Sequence, residues 1–206
     1  MLTSIRSLVF DFGGVLINWD PHRLFDKYFD NDPAATDRFM KEINFVEWNL
    51  SQDKGYPFAQ AVLDLSAQFP QYASLIHAYD VEWEESITGI NPETVDILRK
   101  LKQSPYDLYG LTNWSAEKFS IVRHKYDFFN YFDAIVVSGE VKLIKPDPAI
   151  FNLLLRKVDR KPEECLLIDD SPKNIVSAQA LGFSTVQFTS PAQLEADLHR
   201  FGILTP

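Results

Sequence analysis

Four short apolar runs in this chain each lead into polar side chains able to do chemistry. Residues 7–10 end in Asp11, followed by Phe12-Gly13-Gly14-Val15-Leu16. Residues 107–111 lead into Thr112-Asn113, and residues 165–168 into Asp169-Asp170-Ser171. The loop beyond residues 134–137 carries Lys145 within Ile144-Lys145-Pro146-Asp147-Pro148. If these runs are strands of one open parallel sheet, ligands bind outside their carboxyl ends. Three carboxylates, a hydroxyl, an amide and an ammonium would then converge on one edge. Carboxylates from two strand ends repel each other unless a cation sits between them. Hard oxygen donors of this kind, together with phosphate and water, suit Mg²⁺. A lone Asp at a strand end is commonly a turn former, but strand-end signals in series are far more specific.

The elements that must position these groups can be read from pattern. Five runs rich in β-branched or aromatic residues read as strands, the four above and residues 185–188. Their nearly continuous apolar character fits strands covered on both faces. Segments of helical period follow the last four, and Asp147-Pro148, Ser171-Pro172 and Ser190-Pro191 each set a capping residue before a first-turn proline. Asn91-Pro92 gives the same signal for a helix with Val95, Leu98 and Leu101 on one face. Strand–helix alternation with short links predicts an α/β fold, a doubly wound Rossmann-like parallel sheet.

Between Ile17 and Asn91 this rhythm stops. No convincing strand is legible there, whereas residues 21–29, 34–43, 58–69 and 73–83 carry apolar positions at spacings of three and four. The expected organisation is a core of residues 1–17 and 92–206 with an inserted helical cap, residues 18–91, that closes over the site.

Composition narrows the function. The 206 residues carry 20 Lys and Arg against 29 Asp and Glu, a formal net charge of −9 with no basic stripe, which argues against nucleic-acid backbone binding. The single cysteine provides neither a disulfide framework nor a cysteine zinc site. No apolar run approaches the roughly 18 residues of a membrane helix. The resulting expectation is a soluble cytoplasmic protein that acts on a small molecule, with no nucleic-acid or membrane partner.

With these motifs in place, the chain resembles the haloacid dehalogenase superfamily, most of whose members are phosphatases. Val9-Phe10-Asp11-Phe12-Gly13-Gly14-Val15-Leu16 resembles the first motif and Leu111-Thr112-Asn113 the second. Lys145-Pro146-Asp147-Pro148 resembles the third, and Leu167-Ile168-Asp169-Asp170 with Asn174 the fourth. The resemblance implies an Asp11 nucleophile that forms a phosphoaspartate, with Thr112 and Lys145 stabilising the transferred phosphoryl group. It implies Mg²⁺ bound by Asp11, the Gly13 carbonyl and Asp170, with Asp169 contributing directly or through water. Gly14, Asn113 and Trp114 would help bind the substrate, a small phosphorylated metabolite such as a sugar phosphate. Asn174 would tie down the fourth motif from behind.

One position departs from the pattern. Active phosphatases of the family usually carry a second Asp two residues after the nucleophile, where this chain has Gly13. The lost acid opens two alternatives: a metal-free 2-haloacid dehalogenase, whose halide leaves without a proton, or a catalytically weakened binding or regulatory protein. The retained Asp169-Asp170 pair favours phosphate. Asp20 and His22 are the acids within sequence reach of the gap, and both read more simply as helix-start residues. His77, His124 and His199 show no ligand spacing, Cys165 reads as a buried hydrophobe, and residues 82–85 read as a solvated helix face.

Overall fold

The apolar runs pair as their composition demands. A computed structural model describes residues 5–204. Strand β1 (Ser7–Phe10) is fully buried and central. It is flanked by β4 (Asp107–Thr112) and β6 (Cys165–Asp169), and the parallel sheet runs β5-β4-β1-β6-β7, with β5 Ala134–Val137 and β7 Ser184–Gln187 at its edges. Strand order reverses about β1, so the carboxyl ends of β1, β4 and β6 frame the switch point where ligands of such sheets bind. Phe10 lies in register with Gly110 and Ile168, which sets Asp11 level with Asp169 one residue further on.

Helices cover both faces of the sheet. Helix α6 (Pro92–Lys102) buries Val95, Leu98 and Leu101, the stripe expected from sequence. Helices α7 (Ala116–Arg123), α8 (Ser138–Val141), α9 (Pro148–Val158), α10 (Pro172–Leu181) and α11 (Pro191–Arg200) follow the strands in turn. The Asp147 and Ser190 side chains cap α9 and α11 as expected. Those of Asn91 and Ser171 make no cap bond. Ser171 gives its backbone N–H to the Asp169 carboxylate at 2.9 Å, so the α10 entry is tied to β6 through its main chain.

The inserted segment holds α1 (Pro21–Phe25), α2 (Pro33–Glu42), α3 (Phe45–Asp53), α4 (Phe58–Gln68) and α5 (Ala73–Val81). Three elements here correct the sequence reading, a strand pair and a helix. First, β2 (Ile17–Trp19) and β3 (Ile87–Ile90) form an antiparallel ribbon at the base of the insertion, where no strand was expected. Each is only three or four residues, β2 mostly exposed and β3 mostly half-buried, too short for a period-two pattern. Second, α3 was missed because its apolar residues ring the helix: Phe45 and Trp48 are buried while Val46 and Leu50 face outward. Among the described residues no helix is long and apolar enough to cross a membrane.

Phe12, directly after the nucleophile candidate, anchors the core beneath the site. It is fully buried, and a side chain at Gly110 would collide with its ring. Its ring stacks on Phe119 at 6.0 Å and meets Phe129 and Phe132 at 5.1 Å each. Phe12→Ala should therefore destabilise the protein by about 3–5 kcal/mol, measured by urea denaturation. A loss below about 1 kcal/mol would show that this cluster does not support the fold.

Candidate active site

Lys145 organises the strand ends. Its side chain is fully buried, and its ammonium lies 2.8 Å from an Asp11 oxygen and 2.6 Å from an Asp169 oxygen. Burial alone would depress the Lys145 pKa, but the two carboxylates outweigh it and hold the ammonium charged. Asp169 is also fully buried and accepts both a bifurcated bond from Asn174 Nδ2, at 2.9 and 3.1 Å, and the Ser171 N–H. Its carboxylate is thereby saturated by Lys145, Asn174 and the α10 entry. Asn174 ties down this motif from behind, as its position in sequence suggested.

Asn113 fixes the backbone of the lysine loop. Its amide donates to the Lys145 carbonyl at 2.9 Å and accepts from the Lys145 N–H at 2.8 Å. Thr112, at the end of β4, is buried beside it. Each end of the Asn113 amide gives one bond to this clasp, which leaves one N–H and one lone pair free, and Asn113 also borders the cavity beside Gly13.

Asp170 is more exposed and completes an acidic cluster. Asp11, Asp169 and Asp170 each present an oxygen within 4.8 Å of the others. Burial raises the Asp170 pKa and the neighbouring Asp169 charge adds to it, with Lys145 opposing. Gly14 is required here because its φ is 72° and a Cβ would overlap the Asp170 carboxylate. Gly13 has no such constraint, since a Cβ there would meet nothing within 4 Å. Three carboxylates share one ammonium, leaving a surplus of hard oxygen donors that fits a small divalent cation.

A cavity of about 190 Å³ opens from Gly13 toward the inserted helices. Asn113, Trp114, Ser115 and Lys118 line it from the sheet side, and Trp19, Asn49, Asp53, Phe58, Tyr79 and Trp83 from the insertion. The insertion thus packs at the active edge, and Trp114 reaches the pocket as expected. Asp53 is the functional candidate that sequence reading missed, because it ends the helix that was itself missed.

The acids weighed from sequence lie elsewhere. Asp20 caps α1 through the His22 N–H, and His22 is bonded to Asp26 and Asp37. Cys165 is buried, which pushes its thiol up to about 12. Residues 82–85 are less solvated than expected. Trp83 is buried in the cavity wall, and Glu82, Glu84 and Glu85 pair with Lys27 and Lys125.

Burial moves the Asp11 carboxyl from 3.8 up to about 7; Lys145 opposes the shift, and Asp169 and Asp170 reinforce it. The folded protein therefore keeps a proton on Asp11 where the unfolded chain has lost it. Stability from this group is fully present below about 3.8 and is lost as pH rises through about 7. In metal-free buffer, Asp11→Asn should be more favourable relative to the parent at pH 8 than at pH 4, read from denaturation midpoints. A pH-independent difference would contradict the assignment.

A family model described as haloacid dehalogenase-like hydrolase matches residues 5–182. D-ribitol-5-phosphate phosphatase of Bacteroides thetaiotaomicron is 25% identical over 94% of this chain and 97% of its own. Drimenol cyclase drtB of Aspergillus calidoustus is 27% identical over 94% of this chain, which spans only 36% of that longer protein. In three dimensions the chain is similar to a haloacid dehalogenase family enzyme of Bacteroides thetaiotaomicron crystallised with magnesium and inorganic phosphate. The TM-score is 0.74 at 28% identity, over 90% of this chain and 95% of that one. With four motifs at the strand ends, one buried lysine joining two of them and a family model across most of the chain, this protein belongs to the haloacid dehalogenase-like hydrolases.

Proposed function

We propose that this hydrolase is a Mg²⁺-dependent phosphatase of small phosphate monoesters, working through an aspartyl-phosphate on Asp11. The observation that carries the reading is Lys145 buried between Asp11 and Asp169, with Asp170 completing the acidic cluster. Asp11, Asp170 and the Gly13 carbonyl would hold the cation, which when bound neutralises carboxylate and phosphate charge and orients the phosphoryl group.

In this reading Asp11 attacks phosphorus with the oxygen not committed to the Phe12 N–H, a bond of 2.7 Å. Lys145 and Thr112 stabilise the equatorial oxygens, and backbone amides of the Gly13-Gly14 loop add donors. The P–O bond to the leaving group breaks, and water then attacks the phosphoaspartate to release phosphate and restore Asp11. Asp169 holds the Lys145 ammonium in place. Residues 18–91 form the cap, whose aromatic cavity of about 190 Å³ admits only a small organic portion. A metal-free dehalogenase is the weaker reading, since a substrate carboxylate would face three carboxylates sharing one ammonium.

The test is a screen of sugar phosphates, nucleotides, 4-nitrophenyl phosphate and haloacids with and without Mg²⁺. Phosphate release should require Mg²⁺. Mg²⁺ should also raise the melting temperature, by about 2.7 kcal/mol of stabilisation at a hundredfold excess over Kd. Asp170→Asn should lose both effects. Metal-independent halide release without phosphate release would overturn the proposal.

A further inference from the structure

The phosphatase reading leaves the leaving-group oxygen without the proton donor that an Asp at position 13 would supply. From the cavity geometry we infer that Asp53, on the inserted helix α3, is that donor. Asp53 and Gly13 line the same cavity, and the space above Gly13 is open. The open space at position 13 and the Asp53 carboxyl thus share one cavity.

Asp53 is held by a built chain of hydrogen bonds. The Tyr79 hydroxyl donates to Asn49 Oδ1 at 2.7 Å, which turns the Asn49 amide so that Nδ2 donates to one Asp53 oxygen at 3.1 Å. The Ser138 hydroxyl bonds the Asp53 carbonyl and pins the end of α3 to the core. Among the described residues no ammonium or guanidinium pairs with the Asp53 carboxyl. Among the ionisable groups around it, Lys118 is bonded to Asp80, Glu117 accepts the Phe58 N–H, and Tyr79 is spent on Asn49. Lys142 packs its stem against Gly55 beyond the helix end. Burial accordingly raises Asp53 from 3.8 to about 7, with the Ser115 amide pulling the other way, so the acid form is present near neutrality.

In the first half-reaction the Asp53 proton passes to the ester oxygen as the P–O bond breaks, leaving alcohol, phospho-Asp11 and an Asp53 carboxylate. In the second, that carboxylate takes a proton from the water attacking phosphorus. Phosphate is released and both acids are restored, so ester and water become alcohol and phosphate with no other reactant. This assignment rests on the phosphatase reading and can fail independently of it.

The experiment compares the parent, Asp53→Asn and Asp53→Asn/Gly13→Asp on propyl phosphate and 4-nitrophenyl phosphate with Mg²⁺. General acid help is typically about 10²–10⁴-fold for a poor leaving group. Asp53→Asn should lower the alkyl-to-aryl ratio of kcat/KM at least about tenfold, because 4-nitrophenolate leaves unaided. Gly13→Asp on that background should recover much of the ratio, since the new side chain enters open space. Thermal melting with and without Mg²⁺ establishes that each variant folds. If Asp53→Asn does not fold, the parent decides, because a shielded leaving group gives a shallow dependence of kcat/KM on alcohol pKa. A steep dependence, or an unchanged ratio in a folded Asp53→Asn protein, overturns the assignment while leaving aryl phosphatase activity intact. Absence of Mg²⁺-dependent 4-nitrophenyl phosphate hydrolysis in the parent overturns the phosphatase reading itself.

Discussion

Everything at this sheet edge depends on one buried ammonium. Lys145 would be costly to bury alone, and Asp11 and Asp169 would be costly to bury side by side. Together they form a compact triad whose remaining lone pairs are filled by Asn174, Ser171 and the Phe12 amide. Breaking such an arrangement by removing one partner typically costs about 3–5 kcal/mol. The same constraint explains the Asn113 clasp on the Lys145 backbone, because an ammonium shared between two carboxylates must be placed to within a few tenths of an ångström.

The triad is also deliberately incomplete. Two carboxylates satisfy one lysine, but Asp170 adds a third; burial pushes Asp11 and Asp170 upward, and the neighbouring carboxylates add to it. A folded protein that keeps such repulsion without an evident structural return is keeping it for a ligand. A divalent cation would neutralise the carboxylate charge that Lys145 alone does not, and with it the charge of a bound phosphoryl group.

Cap and core are one packed body at this edge rather than two surfaces that happen to face each other. The aromatic wall runs from Trp114 and Phe119 through Trp83 to Tyr79, Phe25 and Phe45. Among the described residues the side-chain polar crossings are few and local: Lys118 to Asp80, Lys125 to Glu84, Ser138 to the Asp53 carbonyl, and the Phe58 N–H to Glu117. Such an interface encloses the cavity between the two parts, and the short β2–β3 ribbon joins them at its base.

The sequence alone settled the sheet, because each core strand is a continuous apolar run whose burial on both faces is encoded locally. Strand ends then located Asp11, Thr112, Lys145, Asp169 and Asp170, since a parallel sheet presents its carboxyl ends together. Asn174 came from the resemblance of the fourth motif rather than from the sheet, and it bonds Asp169 from helix α10. What remained hidden depends on contacts between distant segments. The β2–β3 ribbon exists only because residues 17 and 90 meet in space. Helix α3 carries no stripe because its apolar residues are spread around it, with Phe45 and Trp48 buried and Val46 and Leu50 exposed. Asp53 follows from that: nothing in its neighbours marks it, and only the folding of the cap over Gly13 turns an ordinary helix-end carboxylate into a half-buried acid facing the reaction. Hydrophobic period is a local property of the chain, whereas desolvation of a single carboxyl is set by everything that packs around it.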